Sequence, residues 1–470
     1  MVASQGQNGT TTVITGRRQL PLLVFTVAPL IGHVLPLIRL AQDLSAKGYS
    51  IIFMSSTEHK ERLEKGGFEW YECSDFFPPG TFEARLKMPP TVERTMYDIE
   101  HVFLSQIPSR SASLRSLLEM VRERDPERQV IVMAESCSMA TAPFIYGAPL
   151  PKGYHRMPKI IGISVLPLIV TSCDTAPFGP GLPPDSSESG RARNMLINQM
   201  MAMGPMRPLQ EAFVLHLTKL GATKVSQEIP FLDQWLTSFD TTFQTCSPSM
   251  DYPRSDLPLS IRYCGNFPPG PIDPDYVFPS WWSEIKEQAA LPANSPTKKK
   301  IVTVCQGTVN MDFTELLIPT IKALSQREDI ILVAIIGMKD MTLPEDVKIS
   351  ANTRVVDYLP YDAVLALSDL FVMNGGYGAF THAVNHGVPV IAAGLTEDKS
   401  EVSARIEYAG LGVNLKTQTP SSESITEAAA KILGNPQYKL RAKRLQQDNR
   451  DLDAYHMIEK QIREYANEEI

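Results

Sequence analysis

The chain has 470 residues, 43% of them hydrophobic and 21% charged, with a formal net charge of −7. That length exceeds one ordinary core and corresponds to roughly two to four domains. The acidic balance and the lack of a basic stripe argue against nucleic acid as a partner. The short block Lys298-Lys299-Lys300 directly precedes an apolar run and reads as a solvated strand entrance. Six cysteines are scattered without a Cys-x-x-Cys pair, which fits a reducing, cytoplasmic setting.

Residues 1–19 are polar and read as a flexible segment without the layout of a signal peptide. Leu20 to Ala28 is a short apolar run that predicts a buried strand. Val34 to Lys47 then takes helical spacing, with Leu37, Leu40, Ala41 and Leu44 on one stripe. Ser50 to Ser55, Val130 to Ala134 and Ile160 to Leu166 predict further strands, and Glu58 to Lys65 a helix. Apolar strands separated by helices imply a parallel α/β sheet. A Pro-, Gly- and Ser-rich stretch from Pro149 to Gly190 predicts rim loops, and Arg191 to Leu220 one long helix. The five methionines from Met195 to Met206 read either as core filling or as a substrate wall.

Pro268-Pro269-Gly270-Pro271 punctuates the chain, and residues 266–278 are expected to link an acceptor-binding domain (20–265) to a second α/β domain (279–445). There, strands are predicted at Ile301–Cys305, Ile330–Ile336, Thr353–Tyr358, Leu370–Met373, Pro389–Ala392 and Val413–Leu415. Helices are predicted at Asp312–Gln326, Tyr361–Ser368, Ala379–Asn385, Glu401–Tyr408 and Ser424–Leu433. A polar helical stretch from Pro436 to Asn467 follows, and residues 446–470 are expected to pack back on the first domain. No run has the length and purity of a membrane span, so no stable membrane insertion is expected, and the two domains should stand as a monomer.

Phe371-Val-Met-Asn-Gly-Gly-Tyr-Gly-Ala-Phe-Thr-His382 is the most informative stretch. It predicts a strand, a glycine turn and a helix whose first N–H groups lack intrahelical partners. Gly375, Gly376 and Gly378 suit a phosphate cradle or a plain structural turn. Gln306-Gly307-Thr308 adds a second turn after a strand, and Tyr358 stands at a strand end where it can stack on a base. The Gly-x-Gly-x-x-Gly dinucleotide fingerprint and the Gly-Lys-Ser/Thr ending of a P-loop are both missing.

In the first half, Gly32-His33 lies between the first strand and its helix, where a histidine can serve as a general base. Glu135 ends the strand Val130–Ala134. It reads equally as a carboxylate that orients His33 or as an ordinary acid at a helix N-terminus. No metal-ligand spacing occurs, and Asp273-Pro-Asp275 falls in the linker. Ser136 and Ser164 lack the nucleophile-elbow context of a hydrolase.

These pieces, in this order, resemble the nucleotide-sugar-dependent glycosyltransferases of the GT-B type, family 1, a group that includes small-molecule glucosyltransferases and macrolide glycosyltransferases. The matching residues are Gly32-His33, Gln306-Gly307-Thr308, Tyr358-Leu359-Pro360, Asn374-Gly375-Gly376-Tyr-Gly378-Ala379, His386-Gly-Val-Pro389 and Glu397-Asp398-Lys399. The resemblance implies an α/β fold of two Rossmann-like domains facing each other across a cleft. It implies inverting, metal-independent transfer of a sugar, with glucose expected, from a UDP-sugar to a hydrophobic, aromatic hydroxyl compound. UDP-GlcNAc or another donor stays open, and no cofactor is implied. By the same resemblance His33 is the catalytic base and Glu135 stands where the family has a supporting aspartate. Tyr358 packs on uracil and Leu359 offers backbone bonds to it. Thr308, Gly376, Gly378 and Ala379 surround the diphosphate, and Asp398 contacts sugar hydroxyls. Three departures stand out: Asn374 for a family histidine, His382 for a ribose-binding glutamate, and Lys399 for a glutamine. Phe76, Phe77, Met88, Phe103, Phe178 and the methionine cluster are expected to form the acceptor cleft. A UDP-sugar epimerase or hydrolase of the same fold, and a non-catalytic sugar-nucleotide binder, remain as alternatives.

Overall fold

The computed structural model describes residues 19–73, 79–89, 92–307 and 312–468. Two parallel sheets account for its architecture. The first has seven strands, β1 (Leu22–Thr26), β2 (Ser50–Ser55), β3 (Glu69–Glu72), β4 (Val130–Glu135), β5 (Lys159–Ser164), β6 (Thr241–Gln244) and β7 (Ile261–Tyr263), ordered β3-β2-β1-β4-β5-β6-β7. The second has six, β8 (Lys300–Cys305), β9 (Ile330–Ile335), β10 (Thr353–Val356), β11 (Leu370–Met373), β12 (Val390–Ala392) and β13 (Gly412–Asn414), ordered β10-β9-β8-β11-β12-β13. Every strand pairing is parallel. This is the two-Rossmann GT-B arrangement, and its apolar strands are buried because helices cover both faces of each sheet.

All six strands of the second sheet match predicted runs. In the first sheet, β3, β6 and β7 have no apolar run to betray them: β3 reads Glu-Trp-Tyr-Glu and β6 Thr-Thr-Phe-Gln. β6 is nonetheless wholly buried, because Thr242 and Gln244 find carbonyl partners at Leu236 and Leu166. The expected helix over 191–220 is two, Glu188–Met203 and Arg207–Lys219, since Gly204-Pro205 cannot continue a helix. The polar tail likewise splits into Pro436–Arg450 and Ala454–Glu468, and the helix expected from Asp312 begins at Leu317. The methionines do not fill a core. Met195, Met200 and Met203 are exposed, Met201 is half-buried, and Met206 packs against an apolar cluster of the first unit.

The helix Ala454–Glu468 lies on the first sheet. Ile458, Ile462 and Tyr465 join the core built on Leu23, Phe25 and Phe53, and the Tyr465 hydroxyl is 2.7 Å from Thr241 Oγ1. The chain therefore crosses between the two units twice, once between β7 and β8 and again before this helix. Between them, Cys246 and Met250 of the first unit pack in one apolar cluster with Tyr377, Val402 and Ile406 of the second.

Candidate active site

The carboxyl ends of adjacent strands bring the sequence-predicted residues together. In register, Thr26 of β1 faces Ala134 of β4, so the segments that follow both strands leave the sheet side by side. After β1 the chain runs through Ala28 into the helix Ile31–Ala46, which places His33 in its first turn. β4 ends on Glu135, entirely buried. His33 Nδ1 lies 3.0 Å from Glu135 Oε1. Glu135 Oε1 also accepts the Cys137 N–H at 2.9 Å and the Ser136 hydroxyl at 3.2 Å, while Oε2 accepts the Ala28 N–H at 3.1 Å. Both geometries open to Glu135 are present: it caps the short turn Ser136–Ser138 through the Cys137 N–H, and it is the carboxylate beside the His33 ring.

Electrostatics follow from that packing. Burial alone drives the His33 pKa down, but the Glu135 carboxylate outweighs it and the net shift is upward. Burial drives Glu135 up, and the His33 charge with the two backbone N–H bonds reverses this, leaving Glu135 lowered. The Asp398 carboxylate of the second sheet's loop adds to the upward shift of His33. Burial is the main reason that the Asp398 carboxyl is pushed up to about 6, opposed by Lys399 and His33.

On the second sheet, Met373 of β11 lies beside Cys305 of β8, and the two turns 306–307 and 374–376 therefore touch. The Asn374 amide donates to the Gln306 carbonyl. The Gln306 side chain is spent inside its own loop, donating to Asp312 O at 3.0 Å and accepting the Leu317 N–H at 3.2 Å. Gly307 follows in the turn, and Thr308 lies outside the described residues.

Gly376 caps the helix Tyr377–His386 without a side-chain bond, so the N–H groups of Tyr377, Gly378 and Ala379 are the free donors of its first turn. The glycines here divide by cause. Gly375 has φ 85°, and a Cβ on it would meet Ser403 Oγ at 2.6 Å, so packing requires it. A Cβ on Gly378 or on Gly32 would meet nothing within 4 Å, so these two leave open space at the starts of two helices. Beyond β10, the Tyr358 ring is exposed and its carbonyl accepts the Tyr276 hydroxyl at 2.7 Å, while Leu359 is buried.

Comparison with known proteins decides the family. The chain is 35% identical over 455 residues to UDP-glucosyltransferase 1 of Beauveria bassiana, covering 94% of this chain and 95% of that one. It is 32% identical over 457 residues to UDP-glycosyltransferase 2 of Phaeomoniella chlamydospora, covering 95% and 96%. The chain belongs to the GT-B glycosyltransferases of family 1. Residues 322–455 also match the family model of the erythromycin biosynthesis protein CIII-like C-terminal domain. Among solved structures, the glycosyltransferase of kitacinnamycin superposes with a TM-score of 0.68 at 16% identity, covering 95% of this chain and 99% of that one. The calicheamicin glycosyltransferase CalG4 gives 0.66 at 15% identity, covering 96% and 99%.

In this glycosyltransferase the three departures noted in the sequence each have a local partner. Asn374 is turned toward Gln306, as described. His382 Nδ1 lies 2.7 Å from Asp362 Oδ1, which also lies 3.0 Å from His386 Nε2. Asp362 Oδ2 takes Arg39 of the first domain at 3.1 Å and the Gly270 N–H of the linker at 3.2 Å. The Lys399 ammonium bonds to Glu397 Oε2 and, at 2.8 Å, to the Thr396 hydroxyl. None of these pairings was legible beforehand. Nor was Arg110, buried beneath the Glu135 turn, whose guanidinium donates to the carbonyls of Cys137 and Ser138.

Among the described residues, two groups have donor atoms close enough to share a cation: His33, Glu135 and Cys137, and Cys173, Asp174 and Asp256. In the first, N–H and O–H donors already occupy the Glu135 oxygens, and burial keeps Cys137 a thiol. Of the expected acceptor-cleft residues, Phe103 packs on Trp235 with ring centroids 5.9 Å apart, and Phe178 borders the apolar cluster that holds Ala28 and Met139; Leu30, not among those expected, borders it too. Phe76 and Phe77 lie outside the described residues.

Proposed function

We propose that the protein transfers glucose from UDP-glucose to a hydroxyl of a hydrophobic, aromatic small molecule, with inversion to a β-glycoside. The observation that carries this reading is the His33–Glu135 pair, with His33 in the first turn of its helix and Glu135 at the end of the neighbouring strand. The relatives' own names, among them two UDP-glucosyltransferases of Starmerella bombicola, support the donor, and 4'-demethylrebeccamycin synthase of Lentzea aerocolonigenes supports a natural-product acceptor.

Nδ1 of His33 faces Glu135, which leaves Nε2 to take the acceptor proton. The acceptor oxygen then bonds to the anomeric carbon as the bond from that carbon to the phosphate oxygen breaks, and UDP departs. Glu135 stabilises the imidazolium that results. The N–H groups of Tyr377, Gly378 and Ala379, at the positive end of their helix, hold the diphosphate charge without a metal ion. Gly32, Gly307 and Gly376 give the ligand room, Tyr358 stacks on uracil and the Leu359 backbone binds its edge. Asp398 bonds to sugar hydroxyls, while Asn374, His382 and Lys399 act from their protein partners to shape the donor pocket. The apolar cluster bordered by Leu30, Phe103 and Phe178 receives the acceptor beside the base.

The test is incubation with UDP-glucose and a panel of phenols, following UDP release and product mass. Release that requires an acceptor, with a product heavier by one hexose, is expected. Acceptor-independent release points to hydrolysis instead, and no release with any UDP-sugar defeats the reading.

A further inference from the structure

The donor-domain loop that carries Asp398 is held largely by the acceptor domain. Glu397, just before it, has a left-handed backbone with φ 51°. A non-glycine residue there is strained by about 1 kcal/mol or more and persists only when its surroundings over-determine it. What determines it is a set of cations. Arg85 Nη2 of the first domain donates to Glu397 Oε1 at 2.7 Å, and Arg94 Nη2 of the same domain stands 3.7 Å from that oxygen. Oε2 takes the Thr396 hydroxyl at 2.5 Å and the Lys399 ammonium. Arg85 is itself fixed, since its side chain is buried and its Nε donates to both Asp98 oxygens at 2.8 and 3.1 Å.

Asp398 is the N-cap of the helix Lys399–Tyr408, so the turn at Glu397 sets where its carboxyl points. The same helix is pinned further along. Glu401 Oε1 accepts the N–H groups of Gly179 and Gly181 from the acceptor-domain rim at 2.8 and 2.7 Å. A Cβ on Gly181 would lie 2.7 Å from Ser400 O, so the rim loop packs directly against the start of this helix.

We infer that Arg85, supported by Arg94, is a donor-positioning residue that acts across the cleft: its ion pair with Glu397 fixes the turn that aims Asp398 at the transferred sugar. This rests on the reading of Asp398 as the sugar contact. Arg85 sits in the acceptor domain, yet its loss is felt in recognition of the sugar half of the donor. UDP, which lacks the sugar, is indifferent to it.

The experiment uses the full chain and its Arg85→Met, Arg85→Lys and Glu397→Gln variants. It compares affinity for UDP-glucose and for UDP by calorimetry, and KM and kcat with UDP-glucose and the best phenol of the panel. Arg85→Met keeps the stem's bulk and is expected to weaken UDP-glucose on the order of tenfold or more, since small misplacements of a contact are costly. Affinity for UDP stays within about twofold, as do the acceptor KM values, because the uracil and diphosphate contacts lie elsewhere. Arg85→Lys recovers part of the loss, and Glu397→Gln, which keeps shape and packing, reproduces it. An unchanged UDP-glucose affinity in Arg85→Met overturns the inference, as does an equal loss for UDP or a defect confined to the acceptor KM. If Arg85→Met does not fold, Glu397→Gln decides by the same criteria. A wild-type protein that neither binds nor turns over any UDP-sugar defeats the donor reading and the inference together. A wild type with normal turnover and an indifferent Arg85→Met defeats the inference alone.

Discussion

His33 and Glu135 are separated by about a hundred residues in the chain, yet their Nδ1 and Oε1 atoms lie 3.0 Å apart at the carboxyl edge of one sheet. The register of β1 against β4 makes the meeting inevitable, because the segments after the two strands emerge as neighbours. Replacing Glu135 by Gln keeps the shape and removes the charge that raises His33. The acid limb of the kcat/KM profile then moves to lower pH, and turnover at pH 8 falls by on the order of 10²–10⁴.

The same pair makes a stability prediction of definite sign. His33 is raised from 6.5, so its contribution is complete below pH 6.5 and is lost as pH rises through its folded value. Glu135 is lowered from 4.5, so its contribution is complete above pH 4.5 and is lost as pH falls through its folded value. The stability gap between the wild type and Glu135→Gln is therefore widest between pH 4.5 and 6.5. Denaturant midpoints measured across the range are expected to show that maximum, and a gap that grows steadily toward pH 9 contradicts it.

Much of this site was legible because its chemistry coincides with local pattern. Gly32-His33 follows an apolar run, and the glycine turn from Asn374 to Ala379 sits between a buried strand and a helix. What escaped has no local signature. Arg85 and Glu397 lie 312 positions apart, and Arg39 reaches Asp362 from the other domain. Ion pairs of this kind depend on how two separately folding sheets dock, and spacing along the chain carries no record of it. β6 escaped for a different reason, since Thr241 pairs with the Tyr465 hydroxyl while Thr242 and Gln244 donate to carbonyls, partners that only the fold supplies.

Tyr358 projects an exposed ring from the end of β10, with its backbone anchored by Tyr276. Stacking of a base on an aromatic ring contributes about 1–3 kcal/mol. Tyr358→Ala is expected to weaken UDP by about that amount in titration calorimetry, and Tyr358→Phe to bind UDP as the wild type does. Equal losses in both variants assign the contact to the hydroxyl and not to the ring.

Asp398 is a carboxyl kept costly to ionise, with its pKa pushed up to about 6 chiefly by burial. A raised pKa stabilises the fold at low pH and costs stability as pH rises through 6. Asp398→Asn is therefore expected to raise Tm at pH 8 and to leave it unchanged below about pH 3.8, where both forms are neutral. The same variant loses transfer while holding UDP. Higher stability with lower activity is the expected trade at a site that buries a charge for its substrate.

Arg405 is a buried cation between the domains. Its Nε donates to Asp251 at 2.8 Å, its Nη1 to Glu401 at 2.7 Å and its Nη2 to the Leu168 carbonyl at 3.3 Å. The guanidinium also lies over the Tyr252 ring, 4.4 Å from its centroid. Arg405→Met leaves two buried carboxylates without their cation, a loss of about 3–5 kcal/mol in comparable pairs. Arg254, 3.4 Å from Asp251, offsets part of it on that side only. A fall in Tm of several degrees is expected, together with weaker UDP-glucose binding, because Glu401 also holds the rim loop at Gly179 and Gly181. Adding Glu401→Gln to Arg405→Met removes the carboxylate left without a cation, while Asp251 keeps Arg254, and restores much of the Tm. Sugar recognition stays impaired in that double variant, since a neutral amide grips the two glycine N–H groups less strongly than a carboxylate. Recovery of Tm and of UDP-glucose affinity together would show that Arg405 serves stability alone.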